Sequence, residues 1–197
     1  LIVFNSLIGN SQEERTVHVF VALCDNVHQG IVPVPAGIGN GQDPYHNLYW
    51  GAGYGVKNYF HRKSSDWKLM KTIKGPSDII LERLIFKHVR TNTWLLADAY
   101  DGAHIKETVY DFLNASSGKH TLRLELDSVY HEFGGASDLC AYIGHNGLMD
   151  FSADIILKSQ NKKKKDVIII GCYSKDYFYE FIKDAGANPL IWSTGLM

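Results

Sequence analysis

The stretch "DLCAYIGHNGLMDF", residues 138–151, and its echo "DVIIIGCYSKDYF", residues 166–178, decide the reading of this chain. In each, an apolar run stops at one reactive side chain, His145 in the first and Cys172 in the second. Runs of four to eight apolar residues bounded by turn signals are the pattern of strands buried on both faces. Two such strands ending in an imidazole and a thiol place both groups where a parallel sheet presents its strand ends.

The surrounding pattern supports that sheet. "TVHVFVALCDN" (16–26) reads as a buried strand closing at Asp25-Asn26, and "DWKLMKTIK" and "NTWLLADAYDG" (92–102) read as further strands, whereas "SDIILERLIFKHV" (77–89) fits a short helix or a strand. "AHIKETVYDFLNAS" (103–116) carries Ile105, Val109, Phe112 and Leu113 at helical spacing. "SKDYFYEFIKDAG" (174–186) opens on a Ser/Asp start signal and closes at Gly186, before a last strand in "NPLIWST". "LYWGAGYGVKNYFHRK" (48–63) can form a helix, weakened by its glycines. Strands alternating with helices predict an α/β, three-layer sandwich, with a mostly parallel sheet flanked by helices.

In open parallel sheets ligands sit beyond the carboxyl ends of the strands, where the strand order reverses. Cys24-Asp25-Asn26, Asp98 to Asp101, His145 and Cys172 all fall at strand ends. A thiolate can attack a carbonyl carbon if an imidazole nearby manages protons and backbone amides face the developing oxyanion. The turn from strand to helix at Cys172 offers such amides together with a favourable helix dipole.

The long Gly/Pro-rich stretch "VHQGIVPVPAGIGNGQDPYHN" (27–47) is either a substrate-lining loop or an Ω-loop packed by its own side chains. As a lining it offers Asn40, Gln42 and Asp43 as polar contacts, with Tyr45, Tyr49 and Trp50 as an apolar wall. Asp25, beside Asn26, either supplies negative charge to a specificity pocket or caps its own turn. "GIGNG" leads to no helix carrying Lys-Ser/Thr and is a weak nucleotide motif.

Net charge −1 and pI near 6.8 give no reason to expect nucleic acid or an anionic membrane as partner. "KKKK" at 162–165 reads as a solvated loop ahead of a strand. Three cysteines at wide spacing argue against a disulfide framework and a structural zinc site, and the histidines lack metal-ligand spacing. No metal or other cofactor is expected. The absence of a long apolar stretch predicts no integral membrane segment. Residues 1–12 read as the remnant of a signal peptide, alternatively as a first strand at 1–4; the signal reading implies an exported protein, periplasmic or secreted. Residues 13–197 then form one domain, and "NPLIWSTGLM" ends so close to a strand that a C-terminal truncation is expected.

"AYIGHNG" followed by "IIIGCYS" resembles the caspase-like cysteine peptidases, the group of caspases, gingipains, legumains and the separase-related CHAT proteins. "SKDYFYEFIKDAGANPLIWST" resembles the helix, Ala-Gly-Ala turn and strand that follow the nucleophile in CHAT-type members. The likeness covers roughly the last 60 residues. It implies a caspase-like fold, Cys172 as nucleophile, His145 as general acid/base, and the amides of Cys172 and Gly147 as oxyanion donors. It also implies hydrolysis of a peptide or protein substrate, or descent from an enzyme that did so. The alternative is a non-catalytic ligand- or partner-binding module on the same fold. Peptide specificity, activation and oligomeric state are not written in these motifs.

Overall fold

Arg15–Ala22 (β1) is buried along almost its whole length, and the fold is built around it. In the computed structural model, which describes residues 13–197, β1 pairs in parallel with Thr93–Tyr100 (β4) on one side and Leu139–Ile143 (β7) on the other. The sheet continues in parallel through Asp166–Ile170 (β8) to Asn188–Trp192 (β9). Beyond β4 it turns antiparallel, through Ile80–His88 (β3) to the edge strand Trp67–Lys74 (β2). The seven-stranded order is β2-β3-β4-β1-β7-β8-β9, a mixed sheet with a parallel centre. The segment that fitted either helix or strand is thus the strand β3. Lys68, Lys71 and Lys74 on β2 charge one free edge, which discourages edge-to-edge pairing.

Crossover handedness explains how the two faces are covered. Parallel crossovers are right-handed, so connections that move in opposite directions from β1 fall on opposite faces. The helices Ile105–Ser116 (α2) and Ser174–Asp184 (α3) follow β4 and β8, and they share one face. Phe112, Val109 and Phe178 pack there against Phe20 and Tyr142. The connection leaving β1 covers the other face, where Trp50, Val56 and Tyr49 pack on Val19, Val21, Leu95 and Ala97.

This second cover differs from the helix that residues 48–63 could form. Residues 48–63 form turns, a three-residue helix Val56–Asn58 (α1) and a short π-turn Tyr59–Lys63, not one helix. What holds the segment is a buried anchor. Trp50 Nε1 donates to Glu82 Oε2 at 2.6 Å, Lys57 Nζ reaches the same carboxylate at 2.9 Å, and Lys74 Nζ also pairs with it. Glycines at 51, 53 and 55 disfavour helix, while a carboxylate with three donors fixes an irregular path at low backbone cost.

The strands Thr121–Leu126 (β5) and Val129–Gly134 (β6) form a hairpin that lies outside the main sheet. Asp127 and Ser128 at its tip have φ of 50° and 64°, the left-handed pair that a two-residue type I′ loop requires. Leu126 and Phe133 pack on Ile85, Trp94 and Leu96, extending the helical face across β3 and β4. The suggested signal peptide or first strand at 1–12 lies outside the described residues.

Candidate active site

The strand order reverses between β1 and β7, and that crevice gathers the predicted residues. β7 ends at Ile143. At Gly144 the chain passes so close to β1 that a Cβ would lie 2.8 Å from the Ala22 carbonyl oxygen, and φ is +151°. Glycine is required there by both restrictions. His145 follows, almost fully buried, with Nε2 2.8 Å from Asp150 Oδ2. The short 3₁₀ turn Gly147–Met149 brings that aspartate back to the ring. A carboxylate partner places the proton of a neutral imidazole on Nε2 and leaves Nδ1 as the basic nitrogen.

Asn146, which separates the histidine from Gly147, has a structural task. Its side chain accepts from Leu148 N at 3.2 Å, capping the 3₁₀ turn, and donates Nδ2 to the Cys172 carbonyl at 2.7 Å. The two strand ends are therefore tied by a direct hydrogen bond. Gly144 N to Ile170 O, 3.1 Å, adds a second tie.

Cys172 is half-buried, two residues beyond β8. Tyr173 then turns left-handed (φ 47°, ψ 31°) before α3 begins at Ser174. A non-glycine residue in that region is strained, and such strain concentrates at functional sites. Among the described residues none accepts a hydrogen bond from the Cys172 amide. The sulfur lies against the Met197 backbone, 3.4 Å from its nitrogen and 3.9 Å from its oxygen, with no hydrogen bond to the His145 ring. Cys24 and Cys140 are fully buried, and burial pushes both thiols up to about 11. They are poor nucleophiles at neutral pH.

Two tyrosines complete the crevice. Tyr142 donates its hydroxyl to the His145 carbonyl at 2.6 Å, and burial holds its proton well above the usual range. The Gly147 amide faces that same hydroxyl. Tyr49 is half-buried and pushed up to about 12, first by burial and then by the neighbouring thiols of Cys24 and Cys172. It keeps its proton and can donate.

The residues suggested as substrate contacts bind one another. Asp25 is buried and accepts from Val27 N, His28 N, His28 Nδ1 and Gln42 Nε2. Burial alone would raise its carboxyl, but these hydrogen bonds overcome it and hold the group below its ordinary value. The Asn26 side chain closes a ring on Val34, donating to O at 2.8 Å and accepting from N at 3.0 Å. Asn40 Oδ1 accepts from Gln42 N, and Asp43 accepts from Tyr45 N and pairs with His46. Only Gln42 reaches further, bridging Asp25 to Asp101. Of the proposed wall, Trp50 is core and Tyr45 lies outside, capped by Lys57 and Lys74. The Ω-loop description fits this geometry.

The loop still touches the candidate chemistry at one point. Gly30 N donates to Asp150 Oδ2 at 2.9 Å, so the carboxylate is held by the loop on one side and the imidazole on the other. Asp150 and Gly30 escaped the sequence reading. The aspartate stood in the quoted stretch, five residues past His145, but only the 3₁₀ turn reveals that this spacing closes. Among the described residues no group of three His, Cys, Asp or Glu side chains is arranged to hold a metal ion, and no helix is long and apolar enough to cross a membrane. No family model, no curated protein and no solved structure matches the chain.

Proposed function

We propose that the chain is a cysteine-type peptidase of caspase-like fold, in which Cys172 attacks the scissile carbonyl and His145, oriented by Asp150, manages the protons. The observation that carries this reading is the buried His145–Asp150 pair at the switch-point crevice, hydrogen-bonded through Asn146 to the strand end of the half-exposed thiol. A carboxylate that fixes tautomer and ring orientation is what a general acid/base needs and what a merely packed histidine does not.

In this reading His145 takes the Cys172 proton, and the thiolate sulfur forms a bond to the carbonyl carbon. The carbonyl electron pair moves to oxygen, which the Cys172 amide, without an acceptor among the described residues, would stabilise. Collapse breaks the C–N bond, and His145 returns its proton to the leaving amine. Water, deprotonated by the same ring, then hydrolyses the thioester.

The test is covalent capture. A peptidyl acyloxymethyl ketone should form an adduct on Cys172 that the His145→Ala variant forms about 100-fold more slowly. The rival reading, a binding module on the same fold, takes support from the Met197 backbone lying on the sulfur and from the missing thiol–imidazole hydrogen bond. It would prevail if iodoacetamide labelled Cys172 no faster than the two buried thiols.

A further inference from the structure

On the face of the sheet that carries α2, a gap remains above β1, β3 and β4, between the second half of that helix and the first residues of β5. It is a cavity of about 270 Å³, with Phe20, Ile80, Ala115 and Leu122 as apolar walls. Arg83, Asp98, Tyr100 and Asp111 are polar members of its lining, and the exposed residues His120 and Thr121 stand at its rim. The space would hold roughly nine waters at their ~30 Å³ share of the liquid, about the bulk of one amino acid.

Two groups in this lining have hydrogen-bonding capacity that the protein does not use. Arg83 is 8% exposed and donates through Nε and Nη2 to Asp98 at 2.6 and 2.7 Å. A guanidinium has five N–H donors in a fixed fork, so the end formed by Nη1 and the second Nη2 proton is left over. Nη1 meets no acceptor among the described residues and is not sealed from solvent. The second group is Asp111, half-buried on α2. Tyr100 donates its hydroxyl to Oδ2 at 2.9 Å. Oδ1 accepts no hydrogen bond among the described residues and stays accessible, with His120 Nδ1 3.9 Å away. Burial raises this carboxyl, which a cation beside it would counter. Asp98 is not open in the same way, because Arg83 and His18 Nε2, at 3.0 Å, occupy both of its oxygens.

These unused groups select the guest. The free end of a planar guanidinium matches a carboxylate through two parallel N–H···O bonds. Arg83 is the one permanent cation of the lining against the carboxylates of Asp98 and Asp111, so a guest that brings only an anion is repelled. A guest that brings only a cation leaves the guanidinium fork unmatched. A zwitterion meets both demands, and the apolar walls favour an aliphatic body.

We propose that this cavity binds a free α-amino acid with an aliphatic side chain. Its carboxylate pairs with Nη1 and Nη2 of Arg83, its ammonium donates to Asp111 Oδ1, and its side chain lies against Ile80 and Leu122. The site uses neither His145 nor Cys172 and stands whether or not the chain hydrolyses peptides.

The experiment is isothermal titration of the whole chain with leucine, isocaproate and leucinamide at constant ionic strength. Isocaproate is leucine without its ammonium, and leucinamide carries a neutral amide in place of the carboxylate. Leucine should bind saturably and at least about tenfold more tightly than either. Asp111→Asn, which keeps an acceptor for Tyr100, should weaken leucine about tenfold, and Thr121→Trp, on the exposed rim, should obstruct entry and abolish the signal. A circular dichroism melt establishes that both variants fold. Non-saturable heats with leucine, or affinity unchanged in either folded variant, would overturn the site. Isocaproate binding as tightly as leucine would overturn the ammonium contact, and leucinamide doing so would overturn the pairing with Arg83.

Discussion

Asp150 Oδ2 lies 2.8 Å from His145 Nε2 and accepts the Gly30 amide at 2.9 Å, so one oxygen joins the long loop to the imidazole. A Cβ at residue 30 would come within 2.3 Å of Asp150 Oδ1 and push the carboxylate off the ring. Gly30→Ala and Asp150→Asn should therefore both lower kcat/KM, by about 10²–10⁴ for the asparagine. Steady-state kinetics on a fluorogenic peptide, with melting curves run alongside, check that activity falls much further than stability.

The three thiols should separate by alkylation. Cys172 is expected to react with iodoacetamide at least about tenfold faster than Cys24 or Cys140 in the native protein, since both of those are buried and hold their protons to about 11. Peptide mass mapping over time reads the order. All three should react at similar rates in 6 M guanidinium.

Acid should weaken the fold from two buried partners. Burial alone would raise the Asp98 carboxyl, but hydrogen bonds from His18 and from Arg83, the latter at 2.6 and 2.7 Å, hold it below the ordinary range. Its stabilisation is present above the unfolded value near 3.9 and is lost as pH falls through the lower folded value. His18 is shifted downward because burial outweighs Asp98, so the folded ring stays neutral where the unfolded ring gains a proton. Stability should drop by up to about 1.4 kcal/mol per pH unit below about 6.5. Urea titrations from pH 7 to 5 should show this slope, and His18→Gln should remove its contribution. Asp98→Asn leaves Arg83 without its carboxylate and should cost about 3–5 kcal/mol at pH 7.

Trp50→Ala should cost about 3–5 kcal/mol, because the indole is fully buried and its N–H holds Glu82. Cys24 should then become alkylatable in the native state, since Asn47, three residues earlier in the same segment, clamps the Cys24 peptide at 2.8 and 3.0 Å.

Tyr173→Gly should stabilise the chain by up to about 1 kcal/mol, releasing the left-handed strain at φ 47°. If that strain positions the thiol, the more stable variant will label more slowly at Cys172.

The parallel centre was legible because β1, β4 and β7 are buried on both faces, and β8 on one face and partly on the other, so that all read as continuous apolar runs. α2 was legible from its 3.6-residue stripe, and α3 from its Ser/Asp start and closing glycine. The 48–63 segment was not, because its conformation depends on Glu82, a residue of β3 that no local pattern connects to it. The β5–β6 hairpin advertises itself only weakly: its alternation is present in "TLRLEL", but its turn uses Asp-Ser where glycine usually signals the left-handed pair. At the site, His145 and Cys172 could be chosen as strand-end residues. Asp150 required a turn to close, and Tyr49 required the whole loop to fold back over the sheet.

The contact between Gly30 and Asp150 sets a rule about length. One residue inserted between Asn26, pinned to Val34, and Gly30 would add up to about 3.5 Å of chain, enough to carry the amide beyond hydrogen-bond range of the aspartate. The segment 27–29 is therefore fixed in number, with exposed Val27 its freest position while His28 and Gln29 are held by their contacts to Asp25, Leu23 and Gly102, and related chains that keep the His–Asp pair should show no gaps there.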